Sequence, residues 1–333
     1  MIISRTPFRI SFFGGGTDYP VHYKRYGGAV LATSINKYCY ITCRYLPPFF
    51  EHKNRIVYSK VEYTKNISEI QHPAVRESLR FMNINKGVEI HHDGDLPARA
   101  GLGTSSSFTV GLLNTLYALK GKIVTKRQLA LDAIHVEQNM IKENVGSQDQ
   151  VTAAFGGFNK IEFDGDQEFR VQPITLSKEK FQLLQDHMML FFTGFSRIAS
   201  NIAKEQIKKT PEKNKELRRM AEMVDEAINI LNDSDTDLTD FGRLLHENWM
   251  IKRKLTDKIS TPMIDKIYND AIKAGALGGK LLGAGGGGFI LFFVEPEKQQ
   301  NVMKKLKNLL YVPFRFENLG SQIIYYTRGD EEI

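Results

Sequence analysis

The residues best equipped for chemistry stand in short, widely separated stretches of this chain. Leu96–Ser107 reads LPARAGLGTSSS, and the apolar run FTVGLLNTLYAL follows it. Gly101 and Gly103 allow tight backbone geometry and close approach of a ligand. Thr104, Ser105, Ser106 and Ser107 offer hydroxyls and helix-capping oxygens. The run behind them predicts a helix ending near Gly121. A glycine turn feeding a helix N-terminus aims unpaired N–H groups at one spot, and that spot favours phosphate. An ordinary loop with a serine cap reads the stretch equally well. No lysine follows Gly103 as a P-loop requires, and G-x-G-x-x-G fails at Ser106.

Four further residues could serve such a site. Arg9 lies inside a strand signal and needs a partner if it faces inward; a surface arginine is the alternative. Asp18 ends Gly14–Asp18, GGGTD, where it could accept hydrogen bonds from a polyol or simply close a turn. Glu137 stands among Ala133, Ile134, Met140 and Ile141, so it either snorkels or is held by a cation or metal. Asp149 falls in Gly146–Gln150, GSQDQ, read as a loop beside the apolar VTAAFGGF; a capping aspartate fits almost as well. His91 and His92 are adjacent on a strand, point to opposite faces and so share no ligand.

The elements that must position these residues follow from pattern. Residues 1–13 predict a strand with a turn at Thr6-Pro7, and 29–46 and 54–63 carry more strand pattern. Ile67–Asn83 predicts a helix and Val88–His92 a short strand. Thr125, with Gln128 three residues on, caps a helix running through LALDAIHVEQNMIKEN. Short strands over 158–176 flank an acidic turn at Asp164–Asp166, and a boundary is expected near Lys178–Gln185. A second lobe opens with a strand at His187–Thr193. A helical region at 199–231 follows, interrupted near Thr210-Pro211. The acidic Asp233–Asp240 linker leads to a helix carrying His246, Glu247 and a packing Trp249. A helix from Thr261-Pro262 ends near Gly275. GGKLLGAGGGGFILFFVE then places glycines before a very apolar strand. Gly285–Gly288 would be costly in a core strand, so the run should serve close backbone packing beside the ligand. Glu297–Leu309 predicts a final helix and Ser321–Tyr326 a last strand. The pattern is α+β, with helices on mainly antiparallel sheets.

At 333 residues and 42% hydrophobic content the chain can bury two lobes. Its two cysteines, Cys39 and Cys43, are too few for a disulfide scaffold and read as buried thiols. No apolar run of membrane length and no signal segment is evident, so a cytoplasmic protein is expected. The formal charge of +7 is spread over helical stretches, which fits an anionic small-molecule site better than a nucleic-acid surface.

RTPFRISFFGGGTD, PARAGLGTSSS and LGAGGGGF, in that order, resemble the three motifs of the GHMP small-molecule kinases, the superfamily of galactokinase, homoserine, mevalonate and phosphomevalonate kinases. Within it, RISFFGGGTDYP with ENVGSQDQ and FFTGFSRIAS most resembles the branch that phosphorylates D-glycero-D-manno-heptose 7-phosphate. The resemblance implies phosphorylation of the sugar's anomeric C1 hydroxyl by ATP, giving the 1,7-bisphosphate in nucleotide-activated heptose biosynthesis. Another anomeric sugar kinase, fucokinase-like, is the alternative; a non-catalytic sugar and ATP sensor is a weaker one. The fold implied has two lobes, one resembling ribosomal protein S5 (1–180, holding the ATP phosphates) and one ferredoxin-like (181–333), with the site between them. Gly101, Leu102, Gly103, Thr104, Ser105 and Ser106 match the phosphate loop. Ser105 and Glu137 match the groups that approach Mg²⁺. Asp149 matches the aspartate facing the acceptor hydroxyl, and Arg9 the cation beside it. Asp18 matches a sugar-hydroxyl binder, with Asp149, Gly15 and Gly16 beside the acceptor. The galactokinase branch has Glu-His where Gly15-Gly16 stand here, which argues against galactose. The partner implied is a sugar phosphate, with neither nucleic acid nor membrane, and a homodimer is left open. Lys24, Arg25 and Arg44 fall near the expected cleft, with none assigned to the acceptor's own phosphate; the region 56–70 supplies the adenine pocket in relatives.

Overall fold

The computed structural model describes residues 1–98, 100–165, 168–194, 199–233 and 236–327. In chain order the elements are β1 (Ile2–Phe13), α1 (Pro20–Tyr26), β2 (Gly28–Tyr45), the hairpin β3 (Asn54–Val57) and β4 (Val61–Thr64), α2 (Pro73–Phe81), β5 (Val88–Gly94), α3 (Thr104–Leu119), α4 (Lys126–Ile134), α5 (Gln148–Phe155), β6 (Phe158–Asp164) and β7 (Glu168–Pro173). There follow α6 (Lys178–Asp186), β8 (Met188–Phe192), α7 (Ala199–Lys209), α8 (Asn214–Asn232), α9 (Thr239–Lys252), α10 (Pro262–Lys273), β9 (Ala276–Leu281), β10 (Phe289–Val294), α11 (Gln299–Lys305), β11 (Leu310–Tyr311), β12 (Phe316–Glu317) and β13 (Gln322–Tyr326).

The strands form two sheets, and the α+β two-lobed fold stands. The first runs β13-β1-β2-β5-β3-β4, with β12, β6 and β7 alongside. Its spine is β2, long enough to pair with β1 along one edge and with β6 and then β5 along the other. Only β3 and β5 pair in parallel among the described strands. The second sheet, β11-β8-β10-β9, is antiparallel. β10 is buried along its whole length, as an apolar run covered on both faces must be. α3 packs on β1, β2 and β13 and is buried almost all round, which makes it a central helix. α9 bridges the sheets: it packs on β9 and β10, and its Phe241 meets Phe12 and Phe13 of β1 edge to face, with centroids 5.7 and 5.1 Å apart. The chain therefore does not divide at one point, because β12 and β13 return to the first sheet.

Several local expectations are corrected. Thr6-Pro7 is no turn: β1 runs through it, and Pro7, which has no N–H to give a ladder, sits at a register shift between Pro7 and Phe8. The helix expected over 67–83 is split into a 3₁₀ turn at Ile67–Glu69 and α2, which starts at Pro73 with His72 accepting from the Val75 N–H. The helix capped by Thr125 ends earlier than Asn144; after α4 it widens into a π-helical turn, His135–Met140. Asp149 lies in the first turn of α5 rather than in a loop. Lys178–Gln185 is helical, part of α6. The last helix is shorter than Glu297–Leu309, a 3₁₀ turn at Pro296–Lys298 preceding α11. Arg99 of the glycine stretch, Phe195–Ile198 of FFTGFSRIAS, and parts of the two acidic segments (Asp166, 234–235) lie outside the described residues.

Candidate active site

The glycine turn before α3 is built as its residues require. Gly103 is the N-cap in the left-handed region at φ 70°, and Gly101 sits at φ 87°. The second glycine run presses against it backbone to backbone. A Cβ on Gly101 would lie 2.4 Å from the Leu282 carbonyl oxygen; one on Gly283 would lie 2.5 Å from the Gly101 Cα. Phe289 N–H donates to the Ala100 carbonyl at 3.1 Å, which stitches β10 to the turn. Of Gly285–Gly288, where close backbone packing was expected, Gly288 packs on the turn at Ala100 and Gly285 on the Ile259 backbone, while Gly283 ahead of them meets Gly101.

Arg9 joins this turn to α5. Its guanidinium donates through Nε to Asp149 Oδ1 at 2.7 Å and through Nη2 to Oδ2 at 3.0 Å, a two-pronged pair. Nη1 donates to the Gly101 carbonyl at 2.7 Å, and the Arg9 N–H to the Leu102 carbonyl at 3.0 Å. Arg9 is buried, so the pair is held in a region of low dielectric where its geometry is fixed. The N-terminal turn of α5 adds its partial positive charge beside the Asp149 carboxylate.

Asp149 and Arg9 line a cavity with Ser11, Gly15, Gly16, Asp18 and Gln148. Asp18 Oδ1 accepts from Gly16 N–H at 2.8 Å. Burial pushes its carboxyl up, against the pull of that N–H, and the charge of Asp149 pushes the same way. A Cβ on Gly146 would lie 1.9 Å from Asp18 Oδ2, so glycine is required there. Gly15 faces Ser11 Oγ and Gln148 at ordinary contact distance, which leaves the cavity open where a side chain would project. Ser11 Oγ and Gln148 Oε1 are buried and have no hydrogen-bond partner among the described residues. Such atoms match ligand hydroxyls.

Glu137 is buried in the π-helical turn behind the phosphate loop. Its carboxylate accepts from Ser106 Oγ at 2.8 Å, from Thr109 Oγ1 at 2.7 Å and from Gln150 Nε2. Burial nevertheless pushes it up to about 7. Ser105, expected to share a metal with Glu137, is exposed; it is Ser106 that meets the carboxylate. A carboxylate with neighbouring hydroxyls is an all-oxygen donor set, which suits Mg²⁺, an ion that keeps waters and binds chiefly through phosphate oxygens. Among the described residues no cluster of three or more His, Cys, Asp or Glu is placed to hold a metal without such help.

Lys252 of α9 and Lys280 of β9 also line the cavity, both buried, and the sequence expectations did not include them. Their signal was a lysine in an apolar context: Lys252 follows Leu245 and Trp249 along one helix face, and Lys280 precedes the glycine run. Of the cations left unassigned, Lys24 and Arg25 are exposed on α1, and Arg44 pairs with Glu89 at 2.6 Å. His91 pairs with Glu89 while His92 packs on Phe108, so they do serve separate surroundings. Cys39 and Cys43 are buried free thiols. No helix among the described residues is long and apolar enough to cross a membrane.

Comparison with known proteins places this geometry. The profile described as GHMP kinases N terminal domain matches residues 66–157, and that of GHMP kinases C terminal matches 224–312; together they take in more than half of the chain. The chain is 28% identical over 327 residues to the D-glycero-alpha-D-manno-heptose 7-phosphate kinase of Campylobacter jejuni, covering 92% of this chain and 93% of that protein. It is 26% identical over 341 residues to the galactokinase of Pyrococcus furiosus, covering 90% and 91%. The crystal structure of a D-glycero-D-manno-heptose 1-phosphate kinase from Bacteroides thetaiotaomicron superposes with a TM-score of 0.78 at 25% identity, over 98% of this chain and all of that one. The chain belongs to the GHMP kinases, which move a phosphoryl group from ATP to a hydroxyl of a small molecule.

Proposed function

We infer that this kinase phosphorylates the anomeric C1 hydroxyl of D-glycero-D-manno-heptose 7-phosphate, yielding the 1,7-bisphosphate and ADP in the supply of nucleotide-activated heptose. The observation that carries the reading is the Arg9–Asp149 pair, lodged between the phosphate turn and a cavity whose walls hold unmatched polar atoms. The likeness to the Campylobacter jejuni heptose 7-phosphate kinase over nearly the full length supports the acceptor.

The roles follow from position. The N–H groups of Gly101–Ser106 at the start of α3 cradle the ATP phosphates. Asp149 accepts a hydrogen bond from the C1 hydroxyl and receives its proton as the new P–O bond forms and the bond to ADP breaks. Arg9 holds both carboxylate oxygens of Asp149 and so fixes its direction. In a dissociative transition state the proton moves late, so orienting the oxygen matters more than basicity. Asp18, Ser11 and Gln148 take the remaining sugar hydroxyls, with Gly15 leaving room and the Gly16 N–H holding Asp18. Glu137, with Ser106 and Ser105 at the start of α3, would hold Mg²⁺, which neutralises phosphate charge during transfer. Residues 1–180, completed by β12 and β13, act as the ATP-phosphate domain, and the rest of 181–333 acts as the second domain.

A coupled ADP-release assay with Mg²⁺-ATP tests the acceptor against mannose, fucose, galactose, free heptoses, sedoheptulose 7-phosphate and D-glycero-D-manno-heptose 7-phosphate, with phosphorus NMR of the product. Preference for the heptose 7-phosphate and a new anomeric phosphate is the expected result. Turnover of another sugar alone would remove the heptose assignment and keep the kinase.

A further inference from the structure

The cavity gathers three basic side chains and two carboxylates. Arg9, Lys252 and Lys280 face it against Asp18 and Asp149. Arg9 is committed to Asp149. Lys252 Nζ donates to the Gly283 carbonyl at 2.7 Å and to that of Leu281 at 3.3 Å, and Lys280 Nζ donates to the Phe12 carbonyl at 2.7 Å. Neither lysine forms an ion pair among the described residues, although both are buried. A buried ammonium without a counter-charge costs several kcal/mol, and an ammonium has three protons to place. Lys252 has placed two of them and Lys280 one. Burial and the neighbouring charge of Lys252 pull the Lys280 ammonium well below its ordinary range, so it is Lys252 that an anionic occupant of the cavity would complete.

Position decides which anion. Gly283, which anchors Lys252, is the residue packed on Gly101 of the phosphate turn. Lys252 also lies within electrostatic reach of Arg9, Asp18 and Asp149. It therefore stands where the nucleotide end of the site meets the acceptor end. Burial pulls its ammonium down to about 8, with Arg9 pulling the same way and the two aspartates opposing. Lys280 sits behind it and ties β9 of the second sheet to β1 of the first.

We propose that Lys252 is a catalytic residue whose ammonium contacts the oxygens of the phosphoryl group in transfer, and that Lys280 is a positioning residue holding Lys252 and the glycine run against β1. The proposal rests on the reading that phosphoryl transfer occurs at Asp149, and it is independent of which sugar is the acceptor.

The test compares full-length wild type, K252M, K252R and K280M with whichever acceptor the wild type turns over best, in phosphorylated and unphosphorylated forms. K252M is expected to lower kcat about 100-fold with both forms. Its KM for acceptor and for ATP should change less than about threefold. K252R should recover roughly tenfold of the loss, since it keeps the charge but alters its reach. Titration calorimetry should show K252M binding ADP as wild type does but losing affinity for ADP with Mg²⁺ and aluminium fluoride, a mimic of the group in transfer. K280M should lose kcat with a fall in Tm, and the R variant at 280 should restore both. Where K252M does not fold, K252Q, which keeps a donor for the Gly283 carbonyl, is the uncharged variant. An unchanged kcat overturns the proposal. So does a loss seen only as a raised KM for the phosphorylated acceptor, which would make Lys252 a reader of the acceptor's own phosphate. Equal loss of ADP and of ADP–aluminium fluoride binding overturns it too. If the wild type ignores heptose 7-phosphate but uses another sugar, the acceptor assignment falls and the lysine comparison is made in that sugar.

Discussion

Two nitrogens of one guanidinium hold both oxygens of Asp149, and this fixes what each can do. In D149N the charge opposite Arg9 is lost and the hydroxyl-facing group becomes an amide. Turnover should fall by about 100- to 10,000-fold while calorimetry still records ATP binding. Near-normal ADP release from a clean D149N preparation would remove Asp149 from the chemistry. Glu137 carries a pH signature. Its carboxyl lies above its ordinary value because burial outweighs the Ser106, Thr109 and Gln150 hydrogen bonds. In metal-free protein the folded state therefore keeps this proton up to about pH 7, whereas the unfolded chain releases it near 4.5. Stability from this group is greatest below the unfolded value and declines as pH rises through 7. The ionised form costs on the order of 3 kcal/mol. E137Q should thus raise Tm by a few degrees at pH 8 in chelator and change it little at pH 5, while Mg²⁺-ATP use collapses. Equal Tm changes at the two pH values would refute the buried-charge account.

At the scale of elements, the phosphate turn works because two glycine stretches touch. G101A puts a methyl group 2.4 Å from the Leu282 carbonyl at a left-handed φ, so the turn and the β9–β10 connection must separate. KM for ATP should rise about tenfold or more with a fall in Tm, read by steady-state kinetics and thermal unfolding. This junction also shows what a sequence discloses. Glycine runs and caps declare themselves locally, so the helix from Thr104, the cap at Thr125 and the strand after Gly288 were legible. Pro7 misled because a bulge, set by pairing with β2, absorbs it. The π-helical turn that carries Glu137 and the helical setting of Asp149 were not legible, since the first is packed against α2 and α3 and the second against α4, α3 and β1. That Arg9, Asp18 and Asp149 share one cavity came from the family resemblance. Lys252 and Lys280 escaped because an apolar context was their only signal: spacing puts Lys252 on the face of Leu245 and Trp249, but burial of a lysine is a tertiary fact.

For the whole molecule, the first sheet is completed by strands from opposite parts of the chain. β13 pairs with β1 over Ile2–Arg5, and β12 pairs with β2 at Ile35. A chain ending at Val312 would leave β1 with an open edge. It should aggregate, and size-exclusion chromatography of the soluble fraction should show little monomeric protein against a full-length control. The charge of the molecule is dispersed, but inside the cavity it is concentrated, so catalysis should respond to ionic strength less than surface binding would. The closing of β13 on β1 has a consequence for biosynthesis. β1 is completed by β13, Gln322–Tyr326, which is synthesised long after it. At a translation rate of about 5–20 residues per second, β1 waits some tens of seconds for its partner. A nascent chain thus carries Arg9 on a strand with an unfinished edge until β13 has been made, and every intermediate length must keep that edge from pairing elsewhere.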